Sequence, residues 1–326
     1  MTETAPAGGR KTAVARKRKG LPIHGWLVLD KPPGMTSTQA MAKARWLLKA
    51  EKAGHGGTLD PIATGVLPIA LGEATKTVSY AMDCGKTYRF TLCFGEARST
   101  DDMAGSVTAT SDVRPTDEQI EAALERFTGW ISQVPPQFSA IKVDGERAYD
   151  LAREGEVVDL KPRQVRVDGF HLTGRPDADH AEFEVECGKG TYMRSLARDL
   201  ALALGTVGHV SALRRLRVGR FTLADAIPLD ELERVAQTPA VEGLLLPIET
   251  ALDDIPALAL TEVEAHRLRQ GQTVALLRRQ DLERLDQLAG SLADGDGTVL
   301  AVSAGRPVAL ARVEGAEIRP VRVLNL

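Results

Sequence analysis

The chain has 326 residues, 43% of them hydrophobic, and its 41 Lys and Arg against 44 Asp and Glu give a formal net charge of -3. This length suits two domains, or one large domain with an appendage, and allows a substantial core, and no apolar run approaches the roughly 20 residues that span a bilayer. Three widely spaced cysteines fit neither a disulfide framework nor a zinc site, and the polar N-terminus lacks the apolar stretch of a signal peptide, so we expect a cytoplasmic protein.

Positive charge is concentrated in the first two thirds of the chain. Residues 227–326 carry 10 Lys and Arg against 16 Asp and Glu, whereas the residues before them carry 31 against 28. Basic clusters lie within residues 1–20 and at Arg214, Arg215, Arg217 and Arg220. Such clusters are typical of a protein that binds a polyanion, although either one alone is also explained by a solvated basic face.

The first predicted elements lead into a glycine-rich loop. Residues 1–20 have no apolar periodicity, which predicts a disordered basic arm. A short apolar strand follows at residues 24–30. Ser37 can then cap a helix that ends near Lys52 and whose buried face carries Met41, Ala44, Leu47 and Leu48.

The loop that follows contains a single carboxylate, Asp60. Pro61 favours an extended backbone at Asp60, and five glycines between Gly54 and Gly72 let a bulky ligand approach the backbone closely. This arrangement suits a catalytic acid. An isolated Asp-Pro dipeptide is more often only a turn, so the dipeptide by itself is weak support.

Beyond the loop, residues 66–71 predict a buried strand and residues 73–82 a helix. Residues 86–94 form the clearest strand, because strict alternation places Tyr88 on one face with Phe90, Leu92 and Phe94. From this pattern alone, Tyr88 is a core aromatic.

Thr116 and Gln119 form a capping box for a helix that ends at Gly129. The stretch from 134 to 164 then interrupts the periodic pattern with prolines and charges, which predicts a surface insertion. Its basic residues are Lys142, Arg147, Arg153, Lys161 and Arg163.

A further strand at 181–187 precedes a helix that Gly205 ends. Arg194 lies in the first turn of that helix, where the dipole disfavours an unpaired cation. We therefore expect either a carboxylate partner for Arg194 or a surface arginine, and spacing alone favours the surface arginine.

The C-terminal third predicts a small β-rich domain. Thr261 and Glu264 make another capping box, for a short helix that Gly271 ends. Strands are predicted at 298–303, 307–313 and 318–324, so the domain spans about residues 257–326.

Three separated motifs, in this order along the chain, resemble the active-site region of the TruB family of tRNA pseudouridine synthases. They are Lys31–Ser37, Gly54–Pro68 and Gly72–Lys76. The resemblance covers residues 21–252 and implies an α/β (α+β) catalytic domain with a mixed, mainly antiparallel sheet, in which 134–164 is an RNA-gripping insertion. The C-terminal domain is loosely similar to a PUA domain, but it is acidic and lacks aromatic residues for base stacking.

The resemblance implies that the chain flips uridine 55 out of the TΨC loop of tRNA and isomerises it to pseudouridine. We expect a monomer that recognises tRNA directly, without a guide RNA, a cofactor, a metal or a membrane. Asp60 is then the carboxylate that acts beside ribose C1′, where cleavage of the N-glycosidic bond builds positive charge. Covalent attack by Asp60 and proton removal to give a glycal both remain open.

The resemblance also assigns the other site residues. Arg194 is the ionic partner of Asp60, and Tyr88 stacks on the flipped base near C5. Tyr192 and Leu213 line the uracil pocket, and His55 fills the space left in the RNA stack. Without the resemblance, His55 is as readily a loop histidine with its bonding needs met.

The sequence leaves two other functions open. The chain could act chiefly as a tRNA-folding chaperone, an activity that Asp60→Asn would spare, or as a nucleoside hydrolase that releases free uracil. If Arg214 and Arg215 contact RNA, neutralising them should flatten the salt dependence of its binding.

Overall fold

The structure is a computed structural model that describes residues 20–139, 142–143, 146–147, 158–277, 279–281, 283–285, 288 and 296–326. The predicted basic arm, except for Gly20, lies outside the described residues, as do residues 140–141, 144–145 and 148–157 of the predicted insertion. The strands, numbered in chain order, are β1 (Gly25–Lys31), β2 (Ala53–His55), β3 (Thr64–Leu71), β4 (Lys86–Phe94), β5 (Glu96–Arg98), β6 (Val107–Thr110), β7 (Gly129–Gln133), β8 (Lys142–Val143), β9 (Glu146–Arg147), β10 (Arg163–Gly174), β11 (His180–Cys187), β12 (Gly208–Val218), β13 (Phe221–Thr222), β14 (Ile227–Pro228), β15 (Leu245–Leu246), β16 (Ala257–Ala259), β17 (Val274–Ala275), β18 (Thr298–Ser303), β19 (Arg306–Glu314) and β20 (Glu317–Val323). Among the elements whose full bounds the structure describes, the α-helices are Ser37–Leu47, Val78–Asp83, Asp117–Leu124, Met193–Ala203, Leu229–Val235 and Glu262–Arg269, and the 3-10 helices are Gly72–Thr77, Glu125–Phe127, Leu223–Asp225, Pro239–Leu244 and Ile248–Leu252.

The larger sheet has the strand order β14-β1-β3-β12-β4-β11-β10-β7, and β2, β13 and β15 pair with β3, β12 and β1. Strands β1 and β14 run parallel, as do β3 and β12, whereas the other neighbours along this order are antiparallel. The predicted mixed, mainly antiparallel α/β architecture is therefore confirmed. A smaller sheet, with the order β16-β18-β19-β20-β17, forms the predicted C-terminal β-rich unit.

The N-terminus of the first helix differs from the prediction. Thr36, not Ser37, is the cap: its side chain accepts a bond from the Gln39 amide, and the Gln39 side chain accepts one from the Thr36 amide. Ser37 is the first helical residue, and its hydroxyl is turned inward and bonded elsewhere. The helix also ends at Leu47, before the predicted end near Lys52.

The helix predicted at 73–82 is instead a 3-10 helix, Gly72–Thr77, followed by a short α-helix, Val78–Asp83. The hydroxyls of Thr75 and Thr77 donate to the carbonyls of Gly72 and Ala74, three residues back, at 2.7 and 2.9 Å. Such side-chain bonds compete with regular helical bonding, which accounts for the tighter turn.

Two apolar clusters lie on opposite faces of the larger sheet. One lies between the sheet and the helices Ser37–Leu47 and Met193–Ala203. The other joins Trp26 of β1 to Leu300 and Leu324 of the C-terminal unit. The Asn325 amide also donates to the Glu73 carboxylate at 2.8 Å. The C-terminal unit is therefore fixed against the outer face of β1 and β3, which is the face that carries Trp26.

None of the helices in the described ranges combines the length and apolar character needed to cross a membrane.

Candidate active site

Three neighbouring strands bring the predicted site residues together. Strand β12 lies between β3, which follows the Asp60 loop, and β4, which carries Tyr88. Arg215 of β12 is paired in register with Gly65 on one side and with Tyr88 on the other. Gly65 has a φ of +98°, and a Cβ there would lie 2.1 Å from the Arg215 carbonyl oxygen, so only glycine allows this approach.

Asp60 and Arg194 form a two-point ion pair. Arg194 Nε donates to Asp60 Oδ2 at 2.9 Å, and Nη2 donates to Oδ1 at 3.1 Å. Two parallel bonds to one carboxylate fix its orientation as well as its position. The Arg194 side chain is 4% exposed and that of Asp60 is 32% exposed, so the open side of the pair belongs to the carboxylate.

Other groups hold the guanidinium from behind. Its Nη1 donates to the Thr100 carbonyl at 2.9 Å, its Nη2 donates to the Phe138 carbonyl at 2.8 Å, and its Nε lies 3.7 Å from Asp102 Oδ2. Asp102 is itself fixed by the Thr100 hydroxyl and the Ala104 amide. Asp102 was not predicted from the sequence, in which only a short polar stretch surrounds it.

The Asp60 loop is also anchored at both of its sides. The buried Ser37 hydroxyl accepts a bond from the Leu59 amide at 2.7 Å and donates to the Leu59 carbonyl at 3.0 Å. The Lys31 ammonium donates to the carbonyls of Met35 at 2.6 Å and Pro61 at 3.4 Å. Burial lowers the pKa of Lys31 to about 8, and the charge of Asp60 opposes this shift. These contacts tie the two loops that carry the first motifs to one another.

Tyr88 is buried on β4, where it is paired in register with Arg215 of β12. Burial raises the pKa of this phenol, and the guanidinium only partly offsets the effect. Arg215 is 1% exposed and donates to the carbonyls of Val66 and Gly57.

The expectation that Arg215 contacts RNA phosphates is therefore wrong. Alternation along β12 turns it into the protein, and its donors face protein oxygen atoms. Its neighbour Arg214 is partly exposed, but forms two bonds to the Asp30 carboxylate, at 3.0 and 2.7 Å.

The remaining predicted site residues lie in elements next to those that carry Asp60 and Arg194. Tyr192 directly precedes the Met193–Ala203 helix, and the Arg163 guanidinium lies 4.8 Å from the centre of its ring. Leu213, on β12, is buried. His55 ends β2, and its buried Nδ1 has no hydrogen-bond partner among the described residues. Burial, with a smaller contribution from Arg215, lowers the pKa of His55, so the imidazole is neutral at pH 7.

The start of the predicted insertion is bonded to the helix that carries Arg194. Gln133 makes two bonds to the backbone of Tyr192, at 3.1 and 2.8 Å. The Val134 carbonyl accepts bonds from Ser195 at 2.8 Å and from Arg198 at 3.0 Å. Together with the Phe138 carbonyl, these contacts place the first residues of the insertion directly on the Asp60–Arg194 pair.

Two family models match most of the catalytic part of the chain. Residues 45–193 match the family model described as TruB family pseudouridylate synthase (N terminal domain), and residues 194–253 match that of the tRNA pseudouridylate synthase B C-terminal domain. The chain is 55% identical to tRNA pseudouridine synthase B of Caulobacter sp. (strain K31) over 96% of its own length and 100% of the relative. It is 57% identical to the protein of that name from Bradyrhizobium diazoefficiens, over 93% of this chain and 86% of the relative.

Among solved structures, the chain is similar to one described as a Cbf5-Nop10-Gar1 complex. That match has 26% identity and a TM-score of 0.69, and covers 93% of this chain and 85% of the other. A second match, an H/ACA RNP bound to a substrate RNA containing 2′-deoxyuridine, has 23% identity and a TM-score of 0.68, and covers 97% and 93% of the two chains. At that identity, the second likeness concerns the fold alone.

Proposed function

The chain belongs to the TruB family of pseudouridine synthases and is an isomerase that forms pseudouridine in tRNA; we propose that its target is uridine 55, in the TΨC loop. It acts in the cytoplasm as a single chain that contacts tRNA directly. The observation that most strongly supports the isomerase chemistry is the Asp60–Arg194 pair, since it presents one oriented and partly exposed carboxylate.

Isomerisation breaks the bond between ribose C1′ and uracil N1, turns the base, and joins C1′ to C5. Positive charge develops on the sugar as the bond breaks, and the Asp60 carboxylate lies beside C1′ to stabilise it. Because two bonds from Arg194 fix the carboxylate, no reorganisation is needed when that charge appears. Covalent attack on C1′ and removal of a ribose proton are both compatible with this arrangement.

The other site residues receive the flipped base. Unstacking a base costs a few kcal/mol, which a fitted pocket offsets. Tyr88 supplies an aromatic face, Leu213 and Tyr192 close the uracil pocket, and neutral His55 enters the space that the base leaves. Residues 21–252 make up the catalytic domain with its insertion at 134–164, and 257–326 form a separate PUA-like domain.

Tritium release from tRNA labelled at uracil C5 tests the proposal. The wild-type protein should release tritium from a transcript with U55 as its only labelled uridine, and should not modify a transcript in which U55 is replaced by C. Asp60→Asn should bind the RNA and release nothing, whereas Asp83→Asn, which removes an exposed carboxylate, should behave as wild type.

Each failure has its own meaning. Modification of the U55→C transcript by the wild type would refute the assignment of position 55. Release by Asp60→Asn would show that the carboxylate is not required, and no release by the wild type would refute the isomerase itself.

A further inference from the structure

Gln133 is a buried polar residue at the point where the chain leaves the larger sheet and enters the insertion. It is the last residue of β7, the strand at one end of the sheet order, and it is 1% exposed. Its register partner is Arg163, the first residue of β10. Residues opposite each other in antiparallel strands place their side chains on the same face of the sheet. The two ends of the insertion thus bring an amide and a guanidinium side by side.

Both side chains contact Tyr192, the N-cap residue of the Met193–Ala203 helix. The Tyr192 amide donates to Gln133 Oε1 at 2.8 Å, and Gln133 Nε2 donates to the Tyr192 carbonyl at 3.1 Å. The Arg163 guanidinium lies 4.8 Å from the centre of the Tyr192 ring, and its Nη2 donates to the Gly190 carbonyl at 2.5 Å. A cation over an aromatic ring is attracted to it. One strand therefore holds the backbone of Tyr192, and the other holds its ring.

The two bonds of Gln133 require a side-chain amide. An amide carries both a donor and an acceptor, as a peptide group does, whereas a carboxylate can only accept. Gln133 is buried, so water does not replace a bond that is lost. The direction in which the chain enters the helix at Tyr192 therefore depends on the amide of Gln133.

Arg194 lies two residues after Tyr192 but has anchors of its own. Its guanidinium is bonded to the Asp60 carboxylate and to two backbone carbonyls from other parts of the chain. Loss of the Gln133 amide leaves all of these bonds in place. The disturbance therefore falls on Tyr192 rather than on the Asp60–Arg194 pair.

We propose that Gln133 and Arg163 are positioning residues that hold Tyr192 in the orientation in which it lines the uracil pocket. This rests on the proposed function, in which Tyr192 contacts the flipped base. Both residues act through Tyr192, without contact to the base. The pocket for the base and the insertion that binds RNA then share one support, the pair of residues at which the insertion joins the sheet.

The pH dependence of Gln133→Glu tests the role of the amide. At pH 9 the glutamate is ionised and cannot donate to the Tyr192 carbonyl, so single-turnover tritium release at saturating tRNA should be slowed roughly 10²-fold, the cost of a misplacement of about 1 Å. As the pH falls to 5.5 the carboxyl gains a proton, and with it the missing donor. The ratio of its rate to the wild-type rate should therefore rise, since groups that titrate in both proteins cancel. The charged side chains bonded to the neighbouring backbone are those of Arg163, Arg194 and Arg198, which keep their charge throughout.

Matched variants identify what is lost. Gln133→Met removes both bonds, so its rate should be low and its ratio to the wild-type rate should not change with pH. Gln164→Glu, the same change at an exposed position of β10, should keep the wild-type rate. Gln137→Glu alters an equivalent pair of bonds, to the backbone of Val158 at 2.9 and 3.1 Å, and should also keep the rate at saturating tRNA.

Double variants test whether both residues act through Tyr192. Arg163→Met removes the cation beside the ring and should slow the reaction by itself. Adding either Arg163→Met or Gln133→Met to Tyr192→Ala should cost nothing more, because the ring that they orient is then absent.

The proposal is overturned if the rate ratio of Gln133→Glu does not rise as the pH falls, if Gln137→Glu loses as much rate as Gln133→Glu, or if the losses in the double variants are additive. If Gln133→Met does not fold, Gln133→Glu and Arg163→Met decide by the same criteria. A wild-type rate in Tyr192→Ala would refute the place of Tyr192 in the pocket. Wild-type protein that releases no tritium would refute the proposed function itself.

Discussion

Replacing Ser37 with alanine should reduce both stability and catalysis, although Ser37 lies 23 residues before Asp60 in the chain. Its hydroxyl is bonded to both the amide and the carbonyl of Leu59, at 2.7 and 3.0 Å. The side chain is buried, so water cannot replace these bonds. Each unpaired buried polar group costs about 1–3 kcal/mol, and with partial relaxation we expect Ser37→Ala to lose about 2–4 kcal/mol.

The catalytic effect follows from the position of Leu59, directly before Asp60. A misplacement of about 1 Å at a reacting group costs about 10²-fold in rate, and we expect a loss of that order in single-turnover tritium release. Urea unfolding measures the loss of stability. Thr36→Ala is the matched control, because it removes the helix cap at a cost of about 1 kcal/mol but leaves both Leu59 bonds in place.

Two results would refute this reasoning. Ser37→Ala could lose stability yet keep the wild-type rate, in which case the Leu59 bonds do not orient Asp60. Equal losses of rate in both variants would instead attribute the effect to the helix as a whole.

Three other predictions concern cationic residues of the site. Arg194→Lys should lower the single-turnover rate about 10²-fold while RNA affinity in filter binding is retained, because one ammonium cannot orient Asp60 through two parallel bonds; a rate close to wild type would contradict this. Arg215→Gln should leave the salt dependence of RNA affinity unchanged, whereas partly exposed Arg214→Gln should reduce the slope by at most about 0.9, the value for one lost phosphate contact. Burial lowers the pKa of Lys31 from 10.5 to about 8. Between these two pH values the unfolded chain binds more protons at this group than the folded chain does, so the contribution of Lys31 to the free energy of unfolding should rise with pH across the range. Urea titrations from pH 7.5 to pH 10.5 should show the rise in the wild type and not in Lys31→Met, and parallel curves would exclude the contribution.

Local patterns predicted most of the fold. The alternation of Lys86–Phe94 gave the bounds of β4, since a half-buried strand requires that periodicity. The capping boxes at Thr116 and Thr261 located the starts of two helices, because both partners of each box lie three residues apart. Information of this kind is contained within a few residues and needs no knowledge of tertiary contacts.

Long-range contacts account for the failures. Thr36 and Ser37 are both suitable caps, and what separates them in part is the bond of Ser37 to Leu59, 22 residues away. Arg215 belongs to a basic cluster in the sequence, and its burial depends on the register that sets it opposite Tyr88. Neither contact leaves a local signal.

In the candidate site, too, local patterns predicted some features and long-range contacts determined the others. Spacing alone favoured a core position for Tyr88 and a surface position for Arg194, and the family resemblance supplied their expected roles. The structure adds Asp102 and Lys31, which contact the site through the guanidinium of Arg194 and the carbonyl of Pro61. Their partners are too distant in the chain for spacing to reveal.

The apolar cluster that joins Trp26 to Leu324 has a consequence for the order of folding during synthesis. Domains generally fold from the N-terminus as the ribosome releases the chain. Here the outer face of β1 receives its final covering only when Leu324 has emerged, nearly 300 residues after Trp26. Until then a newly made chain exposes apolar surface around Trp26, and it is during this interval that a ribosome-bound chaperone would protect it from aggregation.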